Sequence, residues 1–262
     1  MTTDGIVELS SRYAAGFPGQ WYEIATQEHF WMEWRLRALR RLMHDVGAAT
    51  NRGLKVLDIG CGHGAVRRQL EGCTAWTVDG CDLNRAGLLL NRTATGTTYL
   101  YDIHDRLPAM ARSYDVLFLF DILEHIATPR SFVESAVFHL VPGGLVFVNV
   151  PALGALMSRY DQAAGHLRRY TLGSLTAELE SVAGVRVELG RYWGFSLVPL
   201  LFVRKYALAH RQKDPATILR KGFRPPHRLV NGALKTLMHL ETRLMPRPPL
   251  GTSVVAVARW NG

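Results

Sequence analysis

Short apolar runs alternate with helical stretches through the middle of the chain. The apolar runs are Lys55–Ile59, Ala75–Val78, Thr97–Tyr101, Tyr114–Phe120 and Leu145–Val150. Helices are predicted in the stretches between and after these runs, near 64–71, 84–91, 130–140 and 171–181. This alternation is typical of an α/β fold, in which helices cover both faces of a mostly parallel sheet.

The flanking regions show other patterns. Residues 21–46 have the apolar spacing of a helix, whereas the first 20 residues or so carry no predicted element. Pro142-Gly143-Gly144 predicts a turn before the fifth strand, and Val185–Leu189 alternates like a further strand. After Gly190 the sheet rhythm stops until Thr252–Ala258, an apolar run that predicts a last strand of the same sheet.

Two basic, amphipathic segments at 196–210 and 227–245 fill that gap, and a proline-rich hinge at 224–226 separates them. They predict a helical cap inserted before the last strand. We therefore divide the chain into an N-terminal helical segment (1–50) that covers the site, a core (51–191 plus 251–262), and a basic cap (192–250).

Composition excludes several classes of protein. Apolar residues make up 48% of the chain and charged residues 20%, as in globular proteins. No stretch has the basic start and apolar run of a signal peptide, and none approaches the roughly 20 apolar residues of a spanning helix. Three cysteines without a paired CxxC motif favour free thiols. We therefore expect a cytoplasmic protein.

The sharpest local motif is the segment from Asp58 to Gly64, with the sequence Asp-Ile-Gly-Cys-Gly-His-Gly. A predicted strand enters a glycine-rich turn that opens a helix, and Asp82 follows at the distance at which nucleotide-binding folds place a carboxylate on a ribose. The turn alone suits NAD, FAD or S-adenosylmethionine. Asp58 would repel a pyrophosphate, but it suits the cationic ammonium and sulfonium groups of S-adenosylmethionine.

This segment resembles the first motif of class I S-adenosylmethionine-dependent methyltransferases, and four later motifs follow in order, at 80–84, 101–103, 113–126 and 140–151. The segments at 29–32 and 165–170 resemble those of the methyltransferase type 11/12 group. The resemblance implies a Rossmann-like, seven-stranded sheet with an antiparallel last strand. It assigns Asp82 to the ribose of the cofactor, Asp102 to the adenine amine, and Ile103 to the adenine ring. The complete set of predicted cofactor residues is Asp58, Gly60, Cys61, Gly62, Asp82, Leu83, Asp102, Ile103 and Phe120.

Four side chains after the fourth and fifth strands are candidates for the methyl-accepting side: Asp121, Glu124, His125 and His166. His125 or His166 could be a general base for a hydroxyl, because histidine titrates near neutral pH. All four could instead bind a divalent metal, as in similar motifs of small-RNA 2′-O-methyltransferases and ubiquinone-pathway O-methyltransferases. A purely structural role for Glu124 and His125 is the third alternative.

Arginines raise further alternatives. Arg168 and Arg169, with Tyr170, either clamp an anionic group of the substrate or anchor their own loop. For Arg35 we expect a solvated position on the N-terminal helix, although it could also reach the carboxylate of the cofactor.

The charge distribution concerns the partner. Residues 1–150 carry a net charge of −2 and residues 151–262 a net of +11. Segment 204–247 alone holds eleven Lys or Arg against Asp214 and Glu241. This basic cap could keep the protein soluble, bind an anionic small molecule, or contact a membrane surface through the apolar segment 193–203. Nucleic acid is the least favoured partner, because few aromatic residues interleave with the basic ones.

These observations predict O-methylation of a small-molecule acceptor, with a sugar or a natural-product or glycan intermediate as the favoured class. The alternatives are a lipid-linked acceptor at a membrane, RNA, and a non-catalytic cofactor-binding partner protein. The sequence predicts no particular oligomeric state.

Overall fold

One mixed sheet organises the molecule. The computed structural model describes residues 4–11, 29–91, 95–209, 214, 217–218 and 227–262. The strands are β1 (Ile6–Glu8), β2 (Lys55–Ile59), β3 (Thr77–Asp82), β4 (Thr98–Leu100), β5 (Tyr114–Phe120), β6 (Leu140–Pro151), β7 (Val185–Trp193) and β8 (Ser253–Trp260). Their order in the sheet is β1-β4-β3-β2-β5-β6-β8-β7, and β8 runs antiparallel to both of its neighbours. The predicted α/β class and antiparallel last strand are confirmed.

The sheet has eight strands among the described residues, not the expected seven. The additional strand, β1, pairs in parallel with β4 at the edge of the sheet, in a region where no element was predicted. Three residues are too few to show a periodic pattern, so only the tertiary contacts reveal this strand. Ile6 is buried, and Arg85 forms ion pairs with Asp4 and Glu8 on either side of it.

The helices are α1 (Phe30–Asp45), α2 (Ala65–Glu71), α3 (Arg85–Leu89), α4 (Pro129–Val137), α5 (Arg159–Ala164), α6 (Leu172–Glu180), α7 (Val198–Ala209) and α8 (Arg228–Leu244). Residues 21–28 of the predicted first helix and the hinge at 224–226 lie outside the described residues. The turn predicted at 142–144 is wrong, because these residues belong to β6. Gly143 has a φ of 82° there, and the register between β5 and β6 shifts nearby.

Two apolar layers enclose the sheet, one on each face. One layer joins Leu57, Leu117 and Val148 of the strands to Phe132 of α4 and Leu175 of α6. The opposite layer joins other strand residues to α1 and α2, and its members include Val56, Phe118, Phe147, Trp34, Leu39, Leu42, Val66 and Leu70. Burial on both faces explains why β5 and β6 contain continuous apolar runs, at 116–120 and 145–148, instead of alternating apolar and polar residues.

The cap packs on α1 and on the end of β7. The Glu241 carboxylate in α8 accepts hydrogen bonds from the backbone N–H groups of residues 194–196, at 2.7 to 3.0 Å. Lys235 of α8 forms an ion pair with Glu33 of α1 at 2.8 Å. Trp193 and Leu197 are buried, so only part of the segment 193–203 lies at the surface, and contact with a membrane stays a prediction. None of the described helices combines the length and apolar character needed to cross a bilayer.

Candidate active site

The glycine-rich turn joins β2 to α2. Gly60, Gly62 and Gly64 all have positive φ, at 75°, 48° and 77°. A Cβ atom at Gly60 would lie 2.4 Å from Cδ1 of Ile122, and one at Gly64 would lie 2.2 Å from Oδ1 of Asn91. The turn therefore requires glycine for both its conformation and its close packing.

A cavity of about 330 Å³ opens beside this turn, at the carboxyl ends of β2 to β5, and we call it the first cavity. Parallel strands of a doubly wound sheet end at one edge, so residues far apart in sequence meet there. All nine residues predicted to bind the cofactor line this cavity: Asp58, Gly60, Cys61, Gly62, Asp82, Leu83, Asp102, Ile103 and Phe120. Their role in binding stays a prediction.

Three of these residues are carboxylates in different environments. Burial raises the pKa of Asp58 to about 7, and its buried Oδ2 has no hydrogen-bond partner among the described residues. Asp82 accepts hydrogen bonds from the N–H groups of Gly62 at 2.8 Å and Asn84 at 2.7 Å, while burial raises its pKa. Asp102 accepts one from the N–H of His104. An unpartnered buried carboxylate favours a cationic ligand in this cavity.

Arg35 is buried against the first cavity, so the solvated position expected from the sequence is wrong. Its Nη1 lies 2.5 Å from Oδ2 of Asp121, and its guanidinium lies over the rings of Trp31 and Phe120. Arg35 can be buried because Asp121, which is distant in sequence, neutralises its charge.

Asp121 in turn is fully engaged. It has the left-handed φ of 56°, and its Oδ1 accepts a hydrogen bond of 2.6 Å from the side-chain amide of Asn149. Asn149 accepts a hydrogen bond from the indole N–H of Trp193 at 2.9 Å. This chain of contacts ties α1 and β7 to the end of β5.

Three of the four predicted metal ligands meet. Glu124, His125 and His166 each offer one ligand atom, and these three atoms lie within 4.8 Å of one another. Asp121 does not belong to this group, because Arg35 and Asn149 bind its carboxylate. Burial raises the pKa of Glu124 well above its usual range, and the neighbouring charge of Asp121 adds to that effect. Burial, followed by the proximity of His166, lowers the pKa of His125 to about 4.

Asp161 orients His166, and sequence reasoning missed it. Its Oδ1 lies 3.0 Å from Nδ1 of His166, and the same carboxylate pairs with Arg169 at 2.7 Å. Burial acts to raise the pKa of Asp161, but the hydrogen bond with His166 and the charge of Arg169 outweigh it, so that pKa is lowered. The available signal was the helix-start pattern from Ser158 to Asp161, whose capping box the structure contains.

The three residues predicted to bind substrate do not line one cavity together. Arg168 donates to the carbonyl of Ala127 at 3.1 Å on the surface. Tyr170 is buried in the core. Arg169 alone lines a cavity, where it also binds Asp161. The side chains of Arg168 and Tyr170 interact with each other, away from both cavities, so the alternative of a loop anchor accounts for these two residues.

A second cavity of about 440 Å³ lies between α1, α5 and the cap. Most of its wall is apolar and comes from Phe30, Trp31, Leu197, Leu200, Leu201, Val203, Val230 and Leu234. The two cavities share four lining residues, which are Asp121, Glu124, Tyr160 and His166. The two cavities are therefore adjacent at these four residues, and ligands in both would lie beside His166.

A family model described as "Methyltransferase domain" matches residues 30–184, more than half of the chain. The chain belongs to this methyltransferase family. The match confirms the class I S-adenosylmethionine-dependent type that the glycine motif and its four companions indicated. The cap lies outside the matched residues.

Curated relatives match the methyltransferase over about a third of its chain. The ubiquinone biosynthesis O-methyltransferase of Vibrio parahaemolyticus is 37% identical over 103 residues, or 36% of this chain and 43% of that protein. The protein of the same name from Thiobacillus denitrificans is 35% identical over 101 residues, again 36% and 43%. The chain thus spans less than half the length of these curated relatives.

Solved structures share the fold at low identity. A Haloferax volcanii complex of the Trm112 methyltransferase activator with a putative methyltransferase matches with a TM-score of 0.60 and 15% identity, over 95% of this chain and 100% of that chain. Phosphoethanolamine N-methyltransferase 2 of Haemonchus contortus, solved with S-adenosyl-L-methionine, matches with a TM-score of 0.51 and 15% identity, over 95% and 61%.

The first cavity of the methyltransferase fits S-adenosylmethionine. Asp58 offers a buried, unpartnered carboxylate oxygen to a cation, and the turn at Gly60 leaves no room for a side chain. Asp82 also lines this cavity, and its role toward the ribose stays a prediction. When bound, the cofactor supplies the electrophilic methyl carbon.

The donor set of Glu124, His125 and His166 also fits a divalent cation. Oε2 of Glu124 is buried without a hydrogen-bond partner among the described residues, and one carboxylate with two imidazoles is a common set for such ions. Such an ion would supply Lewis acidity that lowers the pKa of an acceptor hydroxyl.

Proposed function

We propose that the protein transfers the methyl group of S-adenosylmethionine to a hydroxyl oxygen of a small, largely apolar acceptor bound in the second cavity. The observation that carries this proposal is the wall shared by the two cavities, formed by Asp121, Glu124, Tyr160 and His166. Methyl transfer is an in-line displacement, so donor and acceptor must meet end to end. Holding them in that geometry supplies much of the rate acceleration.

A hydroxyl acceptor must lose its proton, and in this proposal His166 removes it. If Nδ1 carries the proton, it donates to the ionised Asp161 at 3.0 Å, and Nε2 then keeps a lone pair for the acceptor. Burial and the proximity of His166 lower the pKa of His125 to about 4, which makes His125 a weak base. In this proposal His166 is the base and Asp161 is its positioning residue.

The lining of the second cavity bears on the acceptor class. Trp31, Leu201 and Leu234 offer apolar contact, whereas the hydroxyls of a bare sugar require several polar partners. A hydroxylated ring or a lipid-linked acceptor suits this lining better than a bare sugar, although the sequence favours a sugar or a natural-product or glycan intermediate. Relatives named O-methyltransferase support oxygen as the acceptor atom.

Transfer of radiolabelled methyl groups from S-adenosylmethionine tests the proposal. The acceptors are a hydroxylated aromatic ring with an alkyl tail, a free sugar, and bulk RNA. We expect transfer to the tailed aromatic and a loss of about 10²-fold or more in His166→Gln, the range for a general base. His44→Gln, a change at an exposed histidine on α1, is the matched control.

Other outcomes separate the alternatives. Transfer to RNA or to the free sugar alone would contradict the proposed acceptor class. Saturable binding of S-adenosylmethionine without transfer to any acceptor would favour the non-catalytic, cofactor-binding role.

A further inference from the structure

Helix α8 exposes an apolar stripe. Its residues recur at three- or four-residue steps, which places them on one side of a helix. The stripe consists of Leu229, Ala233, Leu237, Leu240 and Leu244, all of them exposed. Leu229 and Leu244 are the extreme cases, with 78% and 76% of their surface exposed.

The buried side of α8 is partly polar, which reverses the usual arrangement. Glu241 is buried where it accepts hydrogen bonds from the start of the cap, and Lys235 is paired with Glu33. Met238 is the one fully buried apolar side chain described on this helix. A helix that turns a glutamate inward and four leucines outward is suited to an apolar phase on its outer side.

Helix α7 also exposes apolar side chains, and both α7 and the start of α8 line the second cavity. Of the twelve large apolar side chains exposed among the described residues, nine lie in the cap. Leu200, Val203 and Val230 are both exposed and part of the lining of the second cavity. Exposed apolar residues of the cap therefore form part of the wall of that cavity.

The charge around this face is positive. Arg228 and Arg243 precede stripe residues directly, Arg247 follows the helix, and all three are exposed. The segment 204–247 contains only two acids in its sequence, and one of them, Glu241, is buried. Exposed leucines bordered by arginines complement an anionic lipid surface, in which acyl chains lie beneath negative headgroups.

We propose that the exposed face of α7 and α8 docks on an anionic lipid bilayer, with the mouth of the second cavity turned toward the lipid. An amphiphilic acceptor could then pass from the bilayer to His166 without crossing water. The docking is separable from the proposed methyl transfer, because vesicle binding alone measures it.

Co-sedimentation with phosphatidylcholine vesicles, with and without phosphatidylglycerol, tests the docking on the full chain. We expect binding to vesicles that contain phosphatidylglycerol and a loss of about tenfold or more in Leu240→Glu, since one charge at the apolar face opposes insertion. The matched control is Leu90→Glu, because Leu90 is similarly exposed (52% against 50%) but lies outside the cap, at the end of α3. We expect Leu90→Glu to bind like the unaltered protein.

Arg243→Glu tests the electrostatic part, and we expect it to weaken binding to phosphatidylglycerol vesicles. Circular dichroism melting shows whether each variant stays folded. Equal binding to vesicles without phosphatidylglycerol, or equal loss in Leu90→Glu and Leu240→Glu, would overturn the proposal. So would a dimer in sedimentation velocity that Leu240→Glu dissociates while no vesicle binding is seen, because the stripe would then join two copies of this chain.

Discussion

The substitution Asp161→Asn removes one charge at the centre of a buried network. The Asp161 side chain is fully buried, and its carboxylate binds His166, Arg169 and the N–H and hydroxyl groups of Ser158. Asparagine keeps the shape of the side chain but replaces one acceptor oxygen with a donor and leaves Arg169 without its counter-ion. We expect both the stability and the activity of the protein to fall.

The size of each effect follows from burial. Breaking a buried ion pair on one side costs about 3 kcal/mol or more in the free energy of unfolding, because the remaining charge stays desolvated. For a domain of this size that corresponds to a loss of roughly 6–12 °C in Tm. A base without its orienting partner should lower kcat by about 10²-fold. The KM for S-adenosylmethionine should stay unchanged, since Asp161 does not line the first cavity.

The assay combines thermal melting across pH with steady-state kinetics. The pKa of Asp161 is lowered in the folded protein, so its ionisation stabilises the fold above the unfolded pKa of about 4. This stabilisation is lost as the pH falls further toward the folded pKa. The difference in stability between Asp161→Asn and the unaltered protein should therefore be full at neutral pH and shrink below about pH 4.

Glu134→Gln is the matched control, because Glu134 forms an exposed ion pair with Arg130 at 3.0 Å. Loss of such a pair costs less than about 1 kcal/mol. Equal melting shifts in Asp161→Asn and Glu134→Gln would refute the buried network. A kcat that survives in Asp161→Asn, with the protein folded, would refute the orienting role toward His166.

Three other substitutions test separate parts of the site. Gly60→Ala should abolish cofactor binding or lower Tm, because the added Cβ would overlap Ile122. Calorimetric titration and thermal melting measure the two effects. Unaltered binding and an unaltered Tm would show that the turn tolerates a side chain. Affinity for S-adenosylmethionine should fall as the pH drops from about 8 to 6, since Asp58 with its pKa of about 7 becomes neutral, and Asp58→Asn should flatten that dependence. If a metal is used, treatment with a chelator and the substitution Glu124→Gln should lower methyl transfer by similar factors. Added metal should then restore the activity of the chelator-treated protein but not that of Glu124→Gln. Activity that resists the chelator would argue against the metal.

The sequence predicted the parts of the fold that repeat a pattern. The alternation of apolar runs gave the strands from Lys55 onward to within a few residues, because central strands buried on both faces have a clear signature. Strand β1 escaped prediction, since three residues carry no period and their order comes from pairing with β4. The turn expected at 142–144 fell within β6 because Gly143 accommodates an irregular register there.

In the site, too, residues within motifs were predictable from the sequence, whereas contacts between distant residues were not. Residues inside motifs were placed correctly at the first cavity, because the motif itself encodes the turn and the strand ends. The environments of Arg35 and Asp161 depend on contacts that form only in the folded protein. Arg35 pairs with Asp121, and Asp161 pairs with His166 and Arg169. The sequence spacing groups Asp121 with the metal ligands. In the folded protein, however, Asp121 pairs with Arg35, which lies 86 positions away in sequence.

The central claim is that the first cavity binds S-adenosylmethionine through the carboxylates at the strand ends. Isothermal titration with S-adenosylmethionine, on the unaltered protein and on Asp82→Ala in parallel, tests it most directly. We predict saturable binding that weakens at least about tenfold in the variant, the scale of a lost hydrogen bond to a charged group. Absence of binding, equal binding by both proteins, or tight binding of NAD instead would contradict it.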